Sequence, residues 1–586
     1  MSVETTDAHL RVAERPRFAP RGSLTAGAVQ WGVLIATIFL VFAPLLPIIY
    51  QSFLDKPLYN EAAQLTAANY TNLVRDAELG GVLFNTFIFA TITTVLAQAF
   101  GAIFAILIGR TNMPGRGFFN SFMLVPLVVS TMVLAFGWSL TYGPSGFATL
   151  FLKDILGFAP WNVNTLIGMS VVSATTQMPL SFLYCMAAVV MIDPALEDAA
   201  RSCGAKPLRI FIRVTVPLMF PSLVFGTVLN FTSSLDALSI PIIFGEAQGI
   251  RLFMSFLYMK GLGPMVEPDY GLIATASLLL LGLVALLVYV QTRILRNERR
   301  YTTIGGKASH TRSFDLGRLR WPAFMLVAGY VVFFILLPIG ILVLRAFTSF
   351  LSPLVPFWKV MTLQNFAAIF DSATFVRPII NTINISFFGG IVATLFVALI
   401  AIVSHRSDFR FANQLKYIAM VPRAIPGLIA GIGVFYAVVF FPPLGALSGT
   451  IFLMIFAYSA QAIPKAYGAI APSLLQIGPD LDRAARVMGS DWWGATRGII
   501  LPLLLPGLLA SFSLLFISFF KEYAIAMFLV TPGTEVIGTR LFQSWMQGEM
   551  GQVAALASVQ IVLTVFFVGM LRLATRLGKR ASVMAR

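Results

Sequence analysis

The stretch LEDAARSCGAKPLRIFIRVTVP, residues 196–217, returns as LDRAARVMGSDWWGATRGIILP, residues 481–502. The two copies share the pair Ala199-Ala200 and Ala484-Ala485, a glycine at Gly204 and Gly489, and a proline thirteen residues later (217 − 204 = 502 − 489 = 13). Their displacement of 285 (481 − 196) also links Pro179 with Pro464, Pro194 with Pro479, Pro221 with Pro506 and Phe231 with Phe516. Upstream the displacement is 296, joining Asn85-Thr86 to Asn381-Thr382 and Val125-Pro126 to Val421-Pro422. The difference of 11 (296 − 285) falls where the first copy carries the longer loop, Gly143–Asn164. A long internal duplication of this kind organises the whole fold.

Around the duplication the chain is strongly apolar. Of 586 residues, 58% are hydrophobic and 11% charged, less than half the charged share usual in soluble domains. Mean hydropathy is +0.84. No water-facing surface can be built everywhere from such a chain, which places it among polytopic membrane proteins. The net charge of +16 does not point to nucleic acid, because the basic residues recur as short clusters between apolar runs. The first apolar run is too long for a signal-peptide core and lacks a small-residue cleavage site, so it reads as a retained anchor. Two cysteines, Cys185 and Cys203, exclude a disulfide framework.

Apolar runs of about 20 residues reach across a bilayer. Twelve are expected: near Val29–Tyr50, Val82–Ile108, Phe118–Thr141, Leu166–Ile192, Val216–Phe244 and Leu272–Leu295, then Trp321–Arg345, Ile379–Val403, Ile418–Phe441, Gly449–Leu474, Leu503–Val530 and Val553–Leu571. Arg110, Arg116, Arg201, Lys206, Arg209, Arg406, Arg410 and the Arg572–Arg586 tail fall on one side, and acidic Asp55, Glu61, Asp76 and Glu78 on the other. The basic side is expected to be cytoplasmic, with both termini there. The expected organisation is a cytoplasmic tail (1–28), a first repeat (29–295), a cytoplasmic linker (296–320) and a second repeat (321–586). The architecture is thus all-α, two parallel six-helix repeats about an axis along the membrane normal.

The quoted loops resemble the EAA loop of ABC-importer permeases, roughly Glu-Ala-Ala-x-x-x-Gly followed by Ile-x-Leu-Pro. Positions 198–204 and 483–489 match, with Asp198 and Arg483 in place of the first glutamate, and Val214–Pro217 and Ile499–Pro502 match the tail. The resemblance implies a fused permease of the MetI-like fold. It also implies that Asp198, Ala199, Ala200, Gly204, Arg483, Ala484, Ala485 and Gly489 dock an ABC-type ATPase dimer on the cytoplasmic face. The small alanines favour a helix that approaches another protein closely. The glycines allow the backbone to reverse after it. The plainer alternative is an amphipathic helix lying on lipid headgroups.

No motor resides in the chain itself. A phosphate-cradling loop needs Gly-x-x-x-x-Gly-Lys-Ser/Thr; Gly306-Lys307 runs into Ala308 and Gly578-Lys579 into Arg580. The resemblance therefore implies no enzyme activity and no cofactor in this chain, ATP bound by partner subunits, and a substrate-binding protein on the outer face. The location implied is the bacterial cytoplasmic (inner) membrane. Pro532–Gly538, Met546–Ala555 and Leu235–Pro241 are similar to ferric-iron-type fused permeases. Thiamine, polyamine and aminoethylphosphonate permeases share the architecture, and a secondary transporter is the rival of another class. No metal-ligating cage is apparent. Asp236, Lys521 and Glu522 lie in apolar surroundings, at equivalent positions (521 − 236 = 285), and are candidates to line a substrate pathway.

Overall fold

The computed structural model of the protein describes residues 24–263, 268–294 and 315–584. The N-terminal tail to residue 23 and most of the expected linker lie outside the described residues. Helix dominates, and among the described residues β-pairing is confined to two isolated bridges, Leu54 with Leu65 and Thr348 with Met361. Those bridges occupy equivalent loops after the first span of each half. Asn69 and Asn365, 296 residues apart, close them in the same way: each side-chain amide donates to two backbone carbonyls, Ser52 and Leu54 in one case, Ala346 and Thr348 in the other. The duplication thus extends from sequence to single hydrogen bonds.

Among the described residues, nine helices are long and apolar enough to cross a membrane: Ala26–Ser52, Leu79–Arg110, Leu166–Met191, Ile212–Leu235, Tyr270–Ile294, Gly317–Ala346, Ala373–Arg406, Trp492–Phe520 and Met550–Leu571. Two bent pairs raise the number to eleven. Ile451–Leu475, 25 residues long, is the repeat counterpart of Leu166–Met191, but Gln461 and Lys465 make it less apolar.

Four of the twelve expected spans need correction. The runs at 118–141 and 418–441 are not straight helices. The first is Arg116–Val128 and Thr131–Leu156, bent by 105°, and the second is Ala412–Ala424 and Gly427–Phe440, bent by 109°. Extended backbone at Val129 and Ser130 breaks the first, and Ile425, extended ahead of Pro426, breaks the second. The spans expected at 216–244 and 503–530 end early, at Leu235 and Phe520, and start earlier, inside the preceding loops. Asp236 and Lys521 are the residues on which these helices stop.

The halves exchange their first spans. Leu337–Ala346, from the second half, packs on Thr131–Tyr142 of the first, while Leu45–Ser52 of the first packs on Gly427–Phe440 of the second. Glycines make both contacts close. A β-carbon at Gly137 would stand 2.7 Å from the Pro338 carbonyl oxygen, and one at Gly433 would overlap the Pro44 carbonyl oxygen. Gly137 and Gly433 are themselves 296 apart. Tyr142 donates across the same seam to the Phe333 carbonyl at 2.7 Å, and Tyr436 to that of Tyr270 at 3.1 Å. One continuous core therefore runs through both halves, with Val41, Ile48, Leu342, Leu428 and Ile432 buried in it.

Candidate functional site

Each copy of the repeated loop forms a short helix, Pro194–Ser202 and Asp480–Val487. Asp193 caps the first, its carboxylate accepting from the Ala195 amide at 2.9 Å. Both helices then stop on a left-handed glycine, Gly204 at φ +78° and Gly489 at φ +92°. The Ala205 amide reaches back to the Ala200 carbonyl (3.1 Å) and the Gly204 amide to that of Arg201 (2.9 Å), the pairing of a Schellman cap. In the second copy the Ser490 amide reaches the Ala485 carbonyl at 3.0 Å. A π-helical turn follows in each half, Phe211–Thr215 and Thr496–Ile500, again 285 apart, and leads into the fifth span.

Ala199, Ala484, Gly204, Arg483 and Gly489 are exposed, while Asp198, Ala200 and Ala485 are half-buried. Asp198 pairs with Arg201 at 3.6 Å, one helical turn along, and Arg483 with Asp480 at 3.4 Å. The outward faces therefore present small residues and solvated charges. Beyond the alanines the copies differ: Ser202 and Cys203 stand where the second has Val487 and Met488, both strongly exposed.

The acidic residues that the structure buries stand one position earlier, at Glu197 and Asp482, outside the matched motif. Glu197 lies 3.6 Å from the Arg110 guanidinium and accepts from the Thr215 hydroxyl at 3.2 Å. Burial pushes its carboxyl pKa up, and Arg110 and Thr215 pull it back. Asp482 lies 3.3 Å from Arg406. Arg110 and Arg406 stand 296 apart, and Glu197 and Asp482 stand 285 apart. Subtraction matches arginine with arginine and acid with acid, but not the arginines with the acids. In the sequence the two arginines mark only the basic side, yet Arg110 is fully buried and Arg406 nearly so.

A second cluster lies where the halves meet. Asp236 and Lys521 do not pair with each other; each reaches the broken helix of the opposite half. The Gly427 amide, at the start of Gly427–Phe440, donates to Asp236 Oδ2 at 3.1 Å. Lys521 Nζ donates to the Leu127 carbonyl, in the last turn of Arg116–Val128, at 2.7 Å. A carboxylate at a helix N-terminus and an ammonium at a C-terminus both complement the helix dipole. Opposite charges at equivalent positions thus follow from the helix ends they serve. Glu522 Oε1 accepts from the amides of Tyr523 and Ala524 at 3.2 and 3.0 Å, capping the turn after the break. Tyr523 in turn accepts from the Ser239 amide across the junction at 3.1 Å. Gln461 donates to the Ile425 carbonyl at the second break (2.7 Å), whereas Gln177 is satisfied by Ser173 and Ser234 (3.2 and 3.1 Å).

Beyond the far ends of the fifth spans, a cavity of about 680 Å³ opens between the halves. Glu246 and Tyr258 from the first half face Met527, Glu535, Thr539 and Trp545 from the second. Among the described residues, no group of three or more His, Cys, Asp or Glu is placed to hold a metal ion.

Comparison with known proteins agrees with a duplicated transporter subunit. The chain is 26% identical to the ferric transport system permease protein FbpB of Actinobacillus pleuropneumoniae, over 92% of this chain and 76% of that protein. It is 25% identical to a putative ferric transport system permease protein of Haemophilus influenzae, over 86% and 78%. The molybdenum transport system permease protein ModB of Escherichia coli matches at 30% identity, over 29% of this chain and 74% of its own length. The family described as the binding-protein-dependent transport system inner membrane component matches twice, at residues 99–301 and 390–582. The chain belongs to that family, as a multi-pass membrane protein carrying the family's unit in duplicate.

Proposed function

We propose that this chain is the complete translocation pathway of an ATP-driven importer for ferric iron. Two ATPase subunits dock on Pro194–Ser202 and Asp480–Val487, and a binding protein delivers substrate at the opposite face, over the cavity between the halves. The observation that carries the docking reading is the doubled helix-and-glycine turn, built alike in both copies of the repeated loop. Topology alone asks for no such repetition, and a secondary transporter has no use for it. The ferric assignment draws on the two relatives described above that match most of this chain, both ferric permeases by name, whereas the molybdenum permease matches less than a third of it. Asp236, Lys521 and Glu522 stand at the junction between halves, which a substrate must cross. On this reading both chain termini and the two docking loops face the cytoplasm.

The test is uptake in cells lacking this chain. Uptake of radiolabelled ferric iron should stop, return with the intact chain, and leave thiamine and polyamine uptake unchanged. Ferric uptake that persists while one of the other substrates stops would reassign the cargo. An ATPase should also co-purify with the tagged chain; its absence would remove the importer reading itself.

A further inference from the structure

The buried acid–arginine pairs lie behind the docking helices and are not required by the docking reading. Arg110 ends the second span of the first half, and its Nη2 donates to the carbonyl of Ile192, just past the fourth span, at 2.7 Å. The same guanidinium faces Glu197 on the inner side of the docking helix. One side chain thus ties three elements together. Arg406 repeats the arrangement in the second half: it ends the equivalent span, donates to the carbonyls of Leu474 (3.0 Å) and Ile477, and faces Asp482. Ile192 and Ile477 are 285 apart, so even the carbonyl acceptor is repeated. Trp492 Nε1 further fixes the Arg406 backbone carbonyl at 2.9 Å.

Buried ion pairs are poor stabilisers compared with apolar packing, because both charges lose their water. Finding the same one twice, at equivalent positions, points to a demand on geometry. Without it, a docking helix keeps its chain connections and its contacts with the π-helical turn into the fifth span, which is then the nearer path for a displacement. With it, the inner face of the helix is also bonded to the ends of the second and fourth spans, which pack along each other in both halves. We propose that Arg110 with Glu197, and Arg406 with Asp482, are latches that make each docking helix move as one body with the second and fourth spans of its own half. These four are positioning residues, which act through the docking helices and touch no substrate.

This inference rests on the docking reading, so its test separates the two. The tagged full chain, with its co-purifying ATPase, is reconstituted in a Cys203→Ser background with Ala247→Cys at the rim of the cavity between halves. The measured quantity is the change in labelling rate by a membrane-impermeant maleimide when ATP and vanadate are added, divided by the ATP hydrolysis rate. Glu197→Gln with Asp482→Asn should reduce that ratio about tenfold or more, and each single change about threefold. The conservative pair Glu197→Asp with Asp482→Glu should keep most of it, which loss of packing at these positions would not allow. If the double amide variant does not insert, the single variants decide by the same ratio. An undiminished ratio in the amide variants overturns the latches while leaving docking intact. Failure of any ATPase to co-purify with the unmodified chain overturns docking and the latches together.

Discussion

At Gly204 and Gly489 the chain turns with positive φ, yet no atom lies within 4 Å of where a β-carbon would stand. The objection to a side chain there is therefore torsional and not steric. A β-branched residue in left-handed backbone costs about 1–2 kcal/mol, a strain that unwinding the last turn of the short helix before it would relieve. Gly204→Val and Gly489→Val should accordingly leave the protein inserted while abolishing ATP hydrolysis stimulated by the loaded binding protein. Gly→Ala should retain a measurable part of it. Full stimulation in both valine variants would show that the turn shape is irrelevant to docking. These glycines were legible in the sequence, because only one residue type takes such a turn cheaply and it recurs at a fixed distance from a proline. Arg110 and Glu197 were less so: a charge near a span end satisfies the topology rule whether it is solvated or buried, and only the fold separates the two.

At the scale of elements, hydropathy finds apolar runs but does not say whether they are straight. The runs at 118–141 and 418–441 each have spanning length, and each is bent by more than 100°. Pro426 gives a local cause for one bend, but its equivalent in the other half is Ser130, so the shape comes from the surrounding packing as much as from proline. The bends create helix ends inside the bundle, and Asp236 and Lys521 answer them, one charge to each end. This arrangement has a consequence that an Asp–Lys ion pair would not have. Exchanging the charges by Asp236→Lys with Lys521→Asp should fail to rescue either single reversal, since each charge would then meet the wrong end of a helix dipole worth about 0.3–2 kcal/mol per site. The measurement is the melting temperature of the purified protein and its transport rate, single against double variants. Rescue by the exchange would mean that the two side chains pair directly.

At the scale of the whole molecule, the duplication was readable by subtraction, while the exchange of first spans was not. Which half a span packs against is decided by long-range shape, and a glycine such as Gly137 does not announce that its neighbour is Pro338 of the other half. The exchange changes what the covalent link between the halves is for. Each half supplies a span that fills the seam of the other, at Pro44 with Gly433 and at Pro338 with Gly137, so association rests on two equivalent helix contacts buried in a common core. A connector between such halves sets their stoichiometry and local concentration; it need not hold them in register. Cutting the chain near Gly305 and co-expressing the two fragments should therefore restore transport to within a few-fold of the intact chain, with the fragments purifying as a one-to-one pair. The control lies in the seam. Gly137→Leu or Gly433→Leu inserts bulk where even a β-carbon meets a backbone carbonyl. Overpacking of that kind typically costs about 1–3 kcal/mol. In the uncut chain each change should be tolerated in part, because the linker keeps the halves together, but in the split protein it should abolish pairing. Fragments that insert and never associate, even without the leucines, would show that the linker carries the assembly and that the exchanged spans follow it.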